Sequence, residues 1–299
     1  MRSISGRLRK AEPYLYLLPS LIIMVLMLGY PIAYNIVISF FSWTLKSADK
    51  PFIGLLNYGK VLMDEKFLLT LRNTIVWTGL GIMLQMLFGI AVALFVDGIQ
   101  AGKKLMRTVV LIPWLIPGVV TALMWKWMLQ SDVGIINRIL MMSGITSKNI
   151  LFLSDPNISL YTLVFVNLWK AMPFWFLMIT AGLQNKPVDQ VESARLDGAR
   201  YIHVIQHVIL PHLSPIIAST GVLTTIWTLN YFDLIWTTTR GGPMDSTSTL
   251  PVYIYRLAFE FNNFGRSAAL SVISLLIVAL VCIPYVRKML ATMKSEGVL

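Results

Sequence analysis

The sequence predicts an all-α protein that crosses a membrane six times. Three observations lead there. First, 56% of the 299 residues are hydrophobic and 13% are charged, against about 45–50% and about 25% in a soluble domain. Second, the apolar residues fall in runs near the roughly 20 residues that a helix needs to cross the hydrocarbon. Third, the basic residues behind the net charge of +11 flank those runs instead of gathering on one polar element. Charge placed that way sets topology and makes no nucleic-acid footprint. Cys282 is the only cysteine. It lies in an apolar run as a buried filler, so neither a disulfide framework nor a thiolate metal cage is expected.

Residues 1–13 read as a cytoplasmic basic tail, with Arg2, Arg7, Arg9 and Lys10. Residues 14–43 are the first transmembrane helix, too long an apolar run for a cleavable signal and continuing as a span. Pro19 and Pro31 mark its edges or bends, and Tyr30 and Trp43 suit the interface. Residues 44–72 are an extracytoplasmic loop of mixed charge. Residues 73–288 form a core with five more helices, and 289–299 a cytoplasmic tail. The second span is 73–96, where Gly79, Gly81 and Gly89 allow close helix contact. The short 97–107 loop is basic. Its Gly98–Lys104 stretch faintly resembles a phosphate-binding loop but has three residues between the glycines instead of four and no Ser or Thr after the lysine. No ATP site is therefore expected on this chain.

The third span, 108–128, contains Pro113 and Pro117, so freed carbonyls there need another partner. In the following loop Ile135, Ile136, Ile139 and Leu140 give an amphipathic turn or two. The fourth span is 157–182. Residues 212–236 form the fifth, 237–251 read as turns, and 252–264 as a short helix. The sixth span, 265–286, is closed by Arg287, Lys288 and Lys294.

Between spans four and five lies an ordered polar stretch, 185–211. Pro187 suits a helix start and Asp189 and Glu192 the positive end of its dipole. Gly198 suits a left-handed stop. A second helical run follows from Arg200, with Ile202, Ile205 and Ile209 on one side, and Leu210-Pro211 ends it. The residues alone leave two readings: an amphipathic connector, or a helix pair presented to a partner. Topology is an independent constraint. With the N-terminus inside, six spans put the basic N-tail, the 97–107 loop and the C-tail in the cytoplasm, and the 185–211 stretch with them. Lys46, Lys50, Lys60 and Lys66 in the first loop run against that rule.

Polar groups inside spans are costly and tend to face a cavity. Lys170 in span four, near Asn167 and beside Pro173 and Phe174, is such a group. It either meets solute or pairs with a carbonyl or neighbouring helix. In span five Thr224, Thr228 and Tyr231 share a face, with Asn230 and Asp233 close by. Membrane threonines also bond back to their own helix. Aromatic rings beside hydroxyls suit a sugar. Asn167, Lys170, Phe174, Thr224, Thr228, Asn230 and Tyr231 are thus the substrate-pathway candidates.

Glu192-Ser193-Ala194, three residues, Gly198-Ala199, then Ile209-Leu210-Pro211 resembles the EAA loop of binding-protein-dependent ABC importer permeases, with Asp197 and Pro187 also fitting. Ser193 replaces the usual alanine, and the hydrophobe before Leu210-Pro211 is directly adjacent. The segments 169–174, 181–184, 240–243 and 249–259 are similar to the carbohydrate-uptake, maltose-type branch, over about 13–288. The resemblance implies the type I importer permease fold. It implies that Glu192, Ser193, Ala194, Asp197, Gly198, Ala199, Leu210 and Pro211 couple to an ATPase, with Glu192 making a charged contact. It implies the first of two unequal permease subunits, an ABC ATPase dimer carrying ATP and Mg, and an extracytoplasmic solute-binding protein. It places the chain, surrounded by lipid, in a bacterial or archaeal cytoplasmic membrane, with no cofactor and no catalysis of its own. The same pattern would serve a glycerophosphate or polyol carrier. An ion-gradient transporter would want internal repeats and intramembrane carboxylates, which the sequence lacks. His203 and His207, spaced i,i+4, could hold a metal, but no HExxH accompanies them, and polar boundary residues are the commoner reading.

Overall fold

The computed structural model describes residues 16–46 and 49–295, with the side chains at 285, 286 and 288–295 outside the description. The basic residues expected at 2–10 and the tail side chains beyond 288 therefore lie outside the described residues. The described chain is helical, with only two isolated β-bridges, Phe41 to Phe52 and Thr44 to Asn263. It holds 5 helices long and apolar enough to cross a membrane, or 6 if the bent pair Lys103–Leu115 and Gly118–Met128 counts as one span.

Two compact units are formed, residues 1–64 with 254–275, and 65–253 with 276–299. In the first, the helix Tyr16–Ile38 carries apolar side chains on every side and buries none of its apolar window. A wide i→i+5 turn, Val25–Gly29, interrupts it just before Pro31. Proline at 31 offers no N–H to the carbonyl four residues back and crowds it, and the wider turn relieves that. The expected loop then contains the short helix Leu56–Leu62. Its Asn57 donates to the carbonyls of Ser39 and Phe41, each at 2.9 Å.

In the second unit the helix Glu65–Gly98 has 34 residues and begins inside the stretch expected to be loop. Glu65 in the first turn favours the positive helix end, and Phe67 and Thr70 are already buried. Packing of that first turn overrides its mixed charge. Its partner is Ser159–Gln184. Gly89 is where they come closest: a Cβ there would sit 2.4 Å from Trp175 Cβ. Gly81 has ordinary contacts and Gly79 none within 4 Å, so one glycine of the three serves close approach. Two apolar cores flank this pair. One gathers Trp77, Leu163, Val166, Leu234 and Ile235. The other gathers Ala93, Phe176, Ile179, Leu183 and Leu213 with Val191, Val204 and Ile209 from the polar stretch.

Three details correct the sequence-based expectations. The chain does not stop at Leu210-Pro211. The helix Tyr201–Val204 runs through a wide turn, Ile205–Ile209, into Leu210–Leu229. The same device precedes Pro31, and it lets the helix pass Pro211 instead of ending there. Because a wide turn holds more residues, it shifts the face: Val204 and Ile209 are buried while Ile202 is 51% exposed. Of the three isoleucines expected on one side, Ile202 is thus exposed, Ile205 half-buried and Ile209 buried. Cys282, expected to be buried, is only partly so.

Candidate functional site

The third span breaks sharply. Helices Lys103–Leu115 and Gly118–Met128 meet at 93°, with Ile116 extended and Pro117 opening the second. The break strands the Ile116 carbonyl, and Lys170 Nζ donates to it at 2.5 Å. The irregular backbone beside Lys170 is thus at Pro117, whereas Pro173 sits within the uninterrupted Ser159–Gln184 helix. The lysine does pair with a carbonyl, and it also faces a cavity.

That cavity, of about 150 Å³, is lined by Gln85, Asn167, Lys170, Phe174, Thr224, Thr228 and Tyr231, with Trp114, Ala171 and Trp227. Six of the seven residues singled out from the sequence are brought together here. Asn230 is not. It caps the Leu210–Leu229 helix, its amide donating to Ile226 O at 2.8 Å, and it points away to an exposed position. Thr224 bonds back to Thr220 O at 2.8 Å, which is the ordinary habit of a membrane threonine, while still lining the space. The aromatic wall runs Trp114, Phe174, Trp227, with ring centroids 5.7 and 4.9 Å apart. Trp77 Nε1 donates to Thr228 O at 2.9 Å and its ring stacks on Tyr231, holding the cavity's end of that helix.

Gln85, Trp114 and Trp227 were not anticipated. Gln85 is fully buried, and neither its amide oxygen nor its nitrogen has a partner within the chain; the same holds for Asn167 Nδ2 and Tyr231 Oη. Unpaired buried amides are uncommon. A glutamine in the middle of a 34-residue apolar helix was the available signal. Trp114 and Trp227 could not be told from lipid-facing aromatics without the fold.

The polar stretch forms a helix, Val188–Leu196, and a turn. Pro187 directly precedes it and Asp189 lies in its first turn. Gly198 has φ +80°. Its N–H bonds to Arg195 O at 3.0 Å and that of Ala199 to Ala194 O at 2.9 Å, the two bonds of a left-handed glycine cap. Val191 and Val204 are buried against the span core. Glu192, Ser193, Asp197, Gly198 and Pro211 are exposed, while Ala194, Ala199 and Leu210 are half-buried. Leu196 and Tyr201 are exposed as well. The segment is held on its inner face and offers the outer one. Its entrance is pinned by Lys186 to Asp97 at 2.5 Å, and Asp97 also receives Lys103 at 2.8 Å. His207 Nδ1 lies 3.0 Å from His203 O, and among the described residues no group of three or more potential ligands could hold a metal.

Residues 85–291 match the family model described as "Binding-protein-dependent transport system inner membrane component". The chain is 33% identical over 285 residues to the probable ABC transporter permease protein y4oQ of Sinorhizobium fredii, covering 95% of this chain and 91% of that one. It is 31% identical over 277 residues to the trehalose/maltose transport system permease protein MalF of Thermococcus litoralis, covering 92% of each. A crystal structure of a bacterial ABC transporter involved in import of the acidic polysaccharide alginate matches the fold with a TM-score of 0.83 at 22% identity, over 96% of this chain and 98% of that one. Long apolar helices, a broken third span and a glycine-capped polar loop are accounted for together: the chain belongs to the inner-membrane permease components of binding-protein-dependent ABC transporters, multi-pass proteins whose ATPase is a separate subunit.

Proposed function

We propose that this chain is the first of two unequal permease subunits in an importer of a sugar or sugar-like solute, and that the cavity around Lys170 is a station on the solute's path. One observation carries the reading: unpaired amides of Gln85 and Asn167 and the hydroxyl-bearing Thr224, Thr228 and Tyr231 face an aromatic wall in one membrane cavity. Amides and hydroxyls match a sugar's hydroxyls, and ring faces match its C–H side. The relative named for trehalose and maltose transport points to the same solute class. The loop around Glu192 and Gly198 would lie in the cytoplasm, with both termini, and seat in an ABC ATPase dimer that carries ATP and Mg. A second permease and an extracytoplasmic binding protein would complete the assembly.

Transport in proteoliposomes tests this. With the binding protein present, uptake should require ATP and survive an ionophore. Uptake that persists without ATP and collapses with the ionophore would assign the chain to gradient-driven transport instead.

A further inference from the structure

Among the described residues the only charge lining the membrane cavity is Lys170, and no aspartate or glutamate lines it. Its one hydrogen-bond partner among the described residues is the Ile116 carbonyl, which occupies one of three ammonium donors. A carbonyl satisfies a donor but leaves the charge in place. Lys170 is half-buried, and a partly desolvated cation gains from an anion placed beside it. Among the described residues Lys170 makes no ion pair; the Asp233 carboxylate lies by Gly118, close to Tyr231, but is not part of the cavity lining. Beside Lys170 the unpaired amide of buried Gln85 and the Asn167 Nδ2 face the same space, and Phe174 and Trp227 supply flat apolar surface.

We infer that the solute itself brings the counter-charge: the cavity selects a sugar-sized ring bearing a carboxylate, as in a hexuronate, and Lys170 is the specificity-determining residue. The two remaining ammonium hydrogens meet the carboxylate. Gln85 and Asn167 pair with ring hydroxyls, and the Phe174–Trp227 wall takes the ring's C–H face. This rests on the cavity being the solute's path.

The probes are radiolabelled galacturonate and galactose, which share a ring and differ at one carboxylate. Binding is measured by equilibrium dialysis on the assembled transporter in nanodiscs. Galacturonate should bind at least about tenfold tighter, the scale of one charge-assisted pair. Lys170→Arg should keep that preference. Lys170→Gln should abolish the preference, bringing the ratio of galacturonate to galactose affinity to about one. Equal binding of the two sugars by the unaltered protein, binding of neither, or a preference that survives Lys170→Gln would each overturn the inference. The first of these needs no variant to fold. The underlying reading fails on a different result: Ala171→Trp, which fills the cavity, leaving ATP-driven uptake of the transported solute unchanged.

Discussion

Gly198 has φ +80°, and a Cβ added to it would meet no atom within 4 Å. Substitution there therefore changes backbone preference without creating a clash inside the chain. An alanine held in the left-handed region costs about 1–2 kcal/mol, a factor of about 5–30 in the population of the bent turn. Asparagine costs less, because its short polar side chain tolerates that region. Valine costs more, being β-branched. What is lost is the pair of cap bonds to Arg195 and Ala194, and with them the fixed angle between the two short helices. The assay is solute imported per ATP hydrolysed by the reconstituted transporter, with membrane insertion checked by protease protection. Insertion should be unchanged, and coupling should rank glycine, asparagine, alanine, valine. Asparagine is larger than alanine, so a ranking by side-chain volume would refute the backbone argument and point to a collision with the partner. Normal import by Gly198→Val would remove the turn from the coupling mechanism altogether.

Other outcomes follow from the same geometry. Gly89→Leu should lower the thermal midpoint in detergent, by overpacking against Trp175 at about 1–3 kcal/mol, while Gly79→Leu, which meets open space, should not; equal effects would contradict the packing. Asp97→Ala releases both Lys186 and Lys103, so trypsin should nick the 186–200 segment roughly fivefold faster, the scale of about 1 kcal/mol for a partly exposed ion pair; an unchanged rate would show that the pin carries nothing. Asn167→Ala should reduce uptake at least about tenfold, as expected when a site's polar partner is removed, whereas Asn230→Ala should leave it intact; the reverse would shift the solute path away from the cavity.

Much of this architecture was legible because membrane physics writes it in large units. Apolar runs gave the spans, and Gly198 announced its turn because left-handed backbone favours glycine. Asn167, Lys170 and Phe174 were visible as polar or aromatic groups near a proline, and the Thr224–Thr228–Tyr231 face as a helical period. The start of the second long helix was hidden, since its first turn is held by burial of Phe67 and Thr70 and not by local pattern. Pro211 misled because proline ends a regular α-helix, but the wide turn Ile205–Ile209 carries the chain past it. Asn230 shares its neighbourhood in sequence with the cavity residues, yet a helix cap, which depends on where the helix ends, claims its side chain. Gln85 is masked by the strongly apolar run around it, although a lone amide there is a more informative residue than any of the threonines.

The run from Tyr201 to the cavity at Thr224 is helical throughout: the wide turn carries it past Pro211, and Pro215, which removes one backbone bond, lies within the Leu210–Leu229 helix. At 1.5 Å per residue that is a rod of about 35 Å, and rocking it by about 5° sweeps its far end through about 3 Å. A modest nudge at one tip would thus reach the cavity around Lys170 as a stroke about as long as a hydrogen bond, enough to swap one set of partners for another.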